Sequence, residues 1–162
     1  MTLPGETDLR ATGAAIAATQ SACGAIPWDV EGDTRGKVDP WDHVECAMAL
    51  LATGFDAEAA AAYDWLAETQ RADGTWPIEW RLDPSGTPVV VDPGIDTNLT
   101  GYVAVGLWHH WRTRGDLSAV RRWWPMVVAA LEAVRSWQRP SGVVAWAVGP
   151  AGPADNGLLT GS

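Results

Sequence analysis

Two stretches of the chain are apolar nearly all the way round a helical wheel. They are HVECAMALLATG, residues 43–54, and NLTGYVAVGLWHHW, residues 98–111. A helix without a wide polar stripe is buried on every side, so both predict inner helices. Three other stretches keep one wet face. DAEAAAAYDWLAETQ (56–70) sets Glu58, Asp64 and Glu68 beside alanines, Tyr63, Trp65 and Leu66. DLSAVRRWWPMVVAALEAVRSWQ (116–138) carries Arg121, Arg122, Glu132 and Arg135, and TDLRATGAAIAATQ (7–20) is the first of the set. These predict outer helices. Each inner helix ends near a glycine and then an aspartate, Gly54 with Asp56 and Gly115 with Asp116, a helix stop followed by an N-cap. Pro125 predicts a kink or a fresh start. The charged His109 and His110 are expected to favour the dipole at an inner helix's C-terminus. Only TPVVVD (87–92) is rich in β-formers, which predicts a short hairpin arm.

One turn recurs three times. QSACGAIPW starts at Gln20, QRADGTW at Gln70 and QRPSGVVAW at Gln138. In each, glycine follows glutamine by four positions (Gly24, Gly74, Gly142), and a tryptophan follows (Trp28, Trp76, Trp146). Glycine accepts the left-handed conformation that closes a helix. The tryptophan is expected to fold back as packing, and the glutamine amide to bond freed backbone groups. Between the turns, aspartates precede the inner helices: Asp39 and Asp42 in DPWDHVE, Asp92 and Asp96 in DPGIDTN, and Asp155 in PADNGLLTG.

The repeating unit is therefore outer helix, turn, loop, aspartate, inner helix. A ring of inner helices inside a ring of outer ones satisfies it. The expected fold is all-α, an α/α toroid forming a single domain over residues 1–162. With units of 55–60 residues the chain supplies about half a ring. It reads as the N-terminal part of a longer protein, and its unpaired apolar faces predict self-association.

Composition narrows the chemistry. A net charge of −9 disfavours nucleic acid and anionic membrane as partners. No apolar run is long enough to span a bilayer. The first residues, MTLPGETDLRATGAAIAATQ, lack a basic start followed by an apolar block, so no signal peptide is expected. Cys23 and Cys46 make no disulfide framework, and a reduced cytoplasm is the expected setting. Eleven tryptophans among 162 residues point to a packing motif or to a wall for flat or apolar ligands.

The turn AAAYDWLAETQRADGTW, with Trp65, Leu66, Gln70, Gly74 and Trp76, resembles the QW motif of terpenoid cyclases and protein prenyltransferases. DPWDHVECAMAL, DTNLTGYVAVGLWHHW and LLTGS resemble bacterial proteins described as prenyltransferases. The resemblance implies an enzyme acting on an isoprenoid or lipid-linked substrate in a central funnel. The chain lacks the Asp-x-Asp-Asp acid of class II cyclases. Protein prenyltransferases bind zinc through Asp, Cys and His. Cys46 follows His43 by three positions, but no further ligands accompany them. No cofactor is expected, zinc or magnesium being the ones the resemblance raises. GDLSAVRRWWPMVVAALEAV is similar to the outer helices of six-hairpin glycosidases. That alternative is a carbohydrate-active enzyme with two carboxylates across the funnel, about 6.5–9.5 Å apart for inversion. A non-catalytic toroid that binds an apolar or glycosylated ligand is a second alternative.

In a toroid the loops before the inner helices line the funnel mouth. Asp42, Glu45 and Asp96 are therefore the candidate catalytic groups. Asp39, Trp41, His43, Asp92, Asn98 and Trp108 are the candidate substrate-binding groups, and no metal ligands are assigned. A carboxylate in the first turn of a buried helix is costly unless paired or wet, which singles out Glu45. Asp56 and Asp116 read as plain helix caps. Trp41, Trp80 and Trp108 are free of the turn motif and are expected to form a binding wall.

Overall fold

The computed structural model describes residues 5–149, 151–153 and 158–159. Among them the elements follow as α1 (Glu6–Thr19), β1 (Lys37–Val38), α2 (Pro40–Ala52), α3 (Asp56–Thr69), β2 (Glu79–Leu82), β3 (Pro88–Asp92), β4 (Ile95–Asp96), α4 (Thr97–Gly101), α5 (Val103–Arg114), α6 (Leu117–Ser136), β5 (Val144–Ala145), β6 (Ala147–Gly149), β7 (Gly152–Pro153) and β8 (Leu158–Leu159). The inner helices are α2 and the α4–α5 pair, the latter joined at Tyr102, which keeps right-handed helical geometry (φ −67°, ψ −22°). The outer helices are α1, α3 and α6. Helix α2 packs against α1, α3 and α5, and α5 packs against α6. Val44, Ala47, Leu50 and Leu51 of α2 meet Ala59, Ala62, Tyr63 and Leu66 of α3 in the buried core. The fold is an α/α toroid of helical hairpins, about half of a ring.

The strands are short and stay at one end. The expected arm at 87–92 is β3, antiparallel to β2, with β1 on the other side of β2. A second small sheet joins β4, β6 and β7, and β5 pairs with β8. Helix α6 runs unbroken through Pro125, an exposed position, so no fresh helix starts there. Asp116 caps α6 as expected, its Oδ1 accepting from Ser118 N and Ala119 N. Asp56 is not a cap. Phe55 holds that position, and Asp56 Oδ1 accepts instead from Arg114 Nε at 2.6 Å. His109 and His110 also depart from expectation: burial pushes both below the usual histidine range, which disfavours the charged form the helix dipole would reward.

The three turns match bond for bond. Ser21, Arg71 and Arg139 each donate their N–H to the carbonyl four residues on, at 2.8 Å. Each glutamine Nε2 donates to its own glycine's carbonyl, at 2.9, 2.9 and 2.8 Å. The first two glutamines also reach the next outer helix, Gln20 to Glu58 O and Gln70 to Met126 O, both at 2.9 Å. Gly24 and Gly74 have positive φ and stand so close to that helix that a Cβ would lie 2.3 Å from Ala61 O or Ala129 O. Gly142 keeps the same φ, +90°, yet no described atom comes within 4 Å of its Cβ position.

The tryptophans of the three turns are not equivalent. Trp76 is buried, and its Nε1 donates to Leu66 O at 2.9 Å. Trp28 and Trp146 are 48% and 51% exposed. They follow their glycines by four positions rather than two, which carries them past the helix end onto the outgoing chain. The reading of all three as packing residues holds for Trp76 alone. Trp80 is also packing: it is buried and meets Trp65 edge-on at 4.9 Å, so it forms no part of a binding wall.

Candidate active site

The N-terminal end of α2 gathers most of the chemistry. Asp39 is buried and uses both oxygens: Oδ1 accepts from Asp42 N at 3.0 Å and Oδ2 from Trp28 Nε1 at 2.6 Å. It caps the helix and fixes an exposed indole, so its place is beneath the site rather than in it. Lys37 Nζ lies 3.7 Å from the centre of the Trp28 ring and 3.4 Å from Glu79 Oε2.

Asp42, one turn into α2, is raised to about 6. Burial is the main cause. A hydrogen bond to the Asp39 carboxylate and the charges of Asp39 and Glu45 add to it, while Lys37 pulls the other way. A carboxyl in that range can give up a proton near neutral pH and take one back. Asp42 lines a cleft of about 580 Å³ between α1 and α2, together with Ile16, Ile26, Pro27, Trp28 and Cys46. Burial pushes the Cys46 thiol up to about 11, so it stays protonated.

Glu45 occupies a different setting. Its Oε1 accepts from Trp41 Nε1 at 2.9 Å and from Tyr102 OH at 3.0 Å. The two rings stack with centroids 3.8 Å apart and planes 9° from parallel. Glu45 thus pins an aromatic pair that bridges the first and second inner helices. It is half of a platform, not a free acid. Tyr102 escaped the sequence reading. The signal was present: Asp39 and Asp96 are the matching N-caps, and the same 57-residue interval that separates them separates Glu45 from Tyr102.

The remaining candidates scatter. Asp96 caps α4, its Oδ1 accepting from Asn98 N at 2.8 Å and Leu99 N at 3.1 Å. Asn98 is exposed on the first turn of α4. Asp92 is exposed and closes a local turn onto Gly94 N. His43 lies in the core at 1% exposure. Its Nδ1 accepts from Ile26 N at 3.2 Å and its Nε2 donates to Ala62 O at 3.0 Å, so both ring nitrogens are taken. That removes His43 from the substrate-binding set and from any zinc pairing with Cys46. Among the described residues no group of three or more His, Cys, Asp or Glu side chains could hold a metal ion. Trp108 is 61% exposed but lines an apolar groove between α5 and α6. Asp155 lies outside the described residues. No described helix is long and apolar enough to cross a membrane.

The α/α fold has a counterpart among solved structures. A UGL variant solved with dGlcA-Glc-Rha-Glc superposes with a TM-score of 0.64 at 18% identity, over 90% of this chain and 44% of that one. Over 152 residues, 94% of its length, the chain is 46% identical to the MMP endo-(1,4)-3-O-methyl-alpha-D-mannosidase of Mycolicibacterium hassiacum, and the match spans 40% of that protein. The chain therefore covers less than half the length of either relative. No family model matches it. The mannosidase relative overturns the prenyltransferase and terpenoid cyclase reading, and with it the isoprenoid or lipid-linked substrate, and agrees with the glycosidase alternative; the solved structure agrees with the toroid. The misreading has a physical source. The Gln–Gly–Trp turn is a device for stopping one outer helix against the next, and it carries the ring rather than the reaction.

Proposed function

We propose that this chain supplies part of the active site of a glycoside hydrolase acting on α-(1,4)-linked, 3-O-methylated mannose chains. The 46% identity to the mannosidase carries this reading. The setting of Asp42 supports it from the side of the chemistry. In this reading Asp42 gives its proton to the glycosidic oxygen as the bond to the anomeric carbon breaks and the bonding pair leaves with that oxygen. Water adds to the anomeric carbon and passes its proton to a second carboxylate. Asp39 and Glu45 are positioning residues: one sets the start of α2 and Trp28, the other the Trp41–Tyr102 pair. Trp41 offers a ring face to a sugar, and Asn98 and Asp92 offer polar contacts at the mouth.

The test is to incubate the whole protein that carries this chain with α-(1,4)-linked 3-O-methylmannose oligosaccharides and follow the products by mass spectrometry. Shorter oligosaccharides are expected. Asp42→Asn is expected to lower kcat by about 10²–10⁴-fold with the fold intact. Absence of cleavage of both methylated and unmethylated chains would overturn the reading.

A further inference from the structure

We propose that the cleft between α1 and α2 is the subsite that selects the O-methylated sugar, with Trp28 as its stacking residue and Ile16 as its methyl-contacting side chain. This rests on the hydrolase reading above and adds to it where the methyl groups go.

Three observations converge on the cleft. Its volume of about 580 Å³ falls in the range of small-ligand sites. Its lining is apolar in an unusual way for a carbohydrate site. Ile16, Ile26 and Pro27 offer no side-chain hydrogen bond, the Thr19 hydroxyl proton is taken by Ile16 O at 2.8 Å, and the Cys46 thiol is held protonated by burial, which leaves the Asp42 carboxyl and the Thr19 oxygen as the polar partners in the cleft. A bare sugar hydroxyl pressed onto the Ile16 side chain loses its water without gaining a partner there. A hydroxyl capped by a methyl group loses far less and buries apolar surface. The third observation is the ring. Trp28 is half exposed, yet its Nε1 is fixed by a 2.6 Å bond to Asp39. Lys37 Nζ covers one face of this ring, and the opposite face of an exposed, preorganised indole is suited to the apolar C–H face of a sugar. The same Asp39 caps α2 through Asp42 N, so one buried carboxylate sets both the stacking ring and the acid on the cleft.

The experiment compares kcat/KM of the whole protein on α-(1,4)-mannose oligosaccharides of equal length with and without 3-O-methyl groups. The preference for the methylated chain is expected to fall roughly tenfold in Ile16→Thr, chiefly through KM. Trp28→Ala is expected to raise KM for both substrates by about tenfold or more, with Trp28→Phe restoring part of it. Trp28 is exposed, so its variants keep the protein folded even where Ile16→Thr does not. An undiminished methyl preference in Ile16→Thr, together with unchanged KM in Trp28→Ala, overturns the proposal. Direct binding of 3-O-methylmannose, followed by line broadening in NMR spectra, separates the two readings. Binding by wild type that is lost in Trp28→Ala supports the subsite even if no chain is cleaved. Equal binding by both proteins overturns it even if cleavage is robust.

Discussion

The Tyr102 hydroxyl donates to Glu45 Oε1 at 3.0 Å, and Trp41 Nε1 donates to the same oxygen at 2.9 Å. One carboxylate oxygen thereby ties the joint of α4 and α5 to the first turn of α2 and locks two rings into a parallel stack. We predict that Tyr102→Phe, which keeps the stack and removes one donor, costs only about 0.5–1 kcal/mol in thermal denaturation at this half-exposed site. A double-mutant cycle of Trp41→Ala with Tyr102→Ala should show a coupling of about 1 kcal/mol. Strictly additive losses would mean that the stack contributes no energy of its own.

His43 makes folding sensitive to acid. Burial lowers it to about 4, against 6.5 in an unfolded chain, so between those values the unfolded state binds the extra proton. Stability is complete above pH 6.5 and is lost as the pH falls towards 4, by about 3 kcal/mol in all. Urea denaturation at stepped pH reads this directly. His43→Ala should remove the loss towards acid, leaving the opposite slope of Asp42, and also cost about 2 kcal/mol at pH 7, because Ile26 N–H and Ala62 C=O lose their partner. A slope unchanged in the variant would assign it to another group.

Asp42 works in the opposite direction. Its folded form titrates near 6 and its unfolded form near 3.8, so stability falls as the pH rises through that window. At pH 7 Asp42→Asn should therefore stabilise the protein by about 1 kcal/mol, the part of the linkage that survives solvent screening at a half-exposed site. It should also steepen the acid loss caused by His43, since the two slopes offset one another in the wild type. A variant that is less stable at pH 7 would show that Asp42 is held as a favourable ion rather than as a reserve of protons.

The third turn offers an internal control on the first two. Gln20 and Gln70 each make two bonds to backbone carbonyls, and Gln138 makes the intra-turn bond alone among those described. In the 162-residue chain we predict that Gln70→Ala costs about 2 kcal/mol and Gln138→Ala about 1 kcal/mol. Gly74→Ala should cost more than 2 kcal/mol, since it adds a backbone clash to an unfavourable φ, whereas Gly142→Ala should cost roughly 1 kcal/mol for φ alone. Chemical denaturation of the four variants decides it. Equal costs at the two glutamines would show that the bond to the neighbouring helix adds nothing.

Much of the site was legible as a place and little of it as roles. The loops before the buried helices located Asp39, Asp42 and Asp96, and the first turn of a buried helix located Glu45. Their division of labour was not legible. Asp42 differs from Glu45 through the burial around it and through Tyr102, 57 residues further along the chain from Glu45. His43 looked like a funnel residue because its neighbours are. The helical turn instead aims it at the carbonyl of Ala62 and the N–H of Ile26.

The sequence by itself determined the alternation of inner and outer helices, their ends and the recurring turn. These depend on the local period of apolar residues, on caps and on the φ that glycine allows, all set within a few residues of one another. Only the tertiary structure decided which tryptophans are packing and which are open, which aspartate is a cap and which is raised towards neutral pH, and that Tyr102 faces Trp41. Those properties arise from desolvation and from contacts between helices, and such contacts join positions whose separation along the chain carries no local signal.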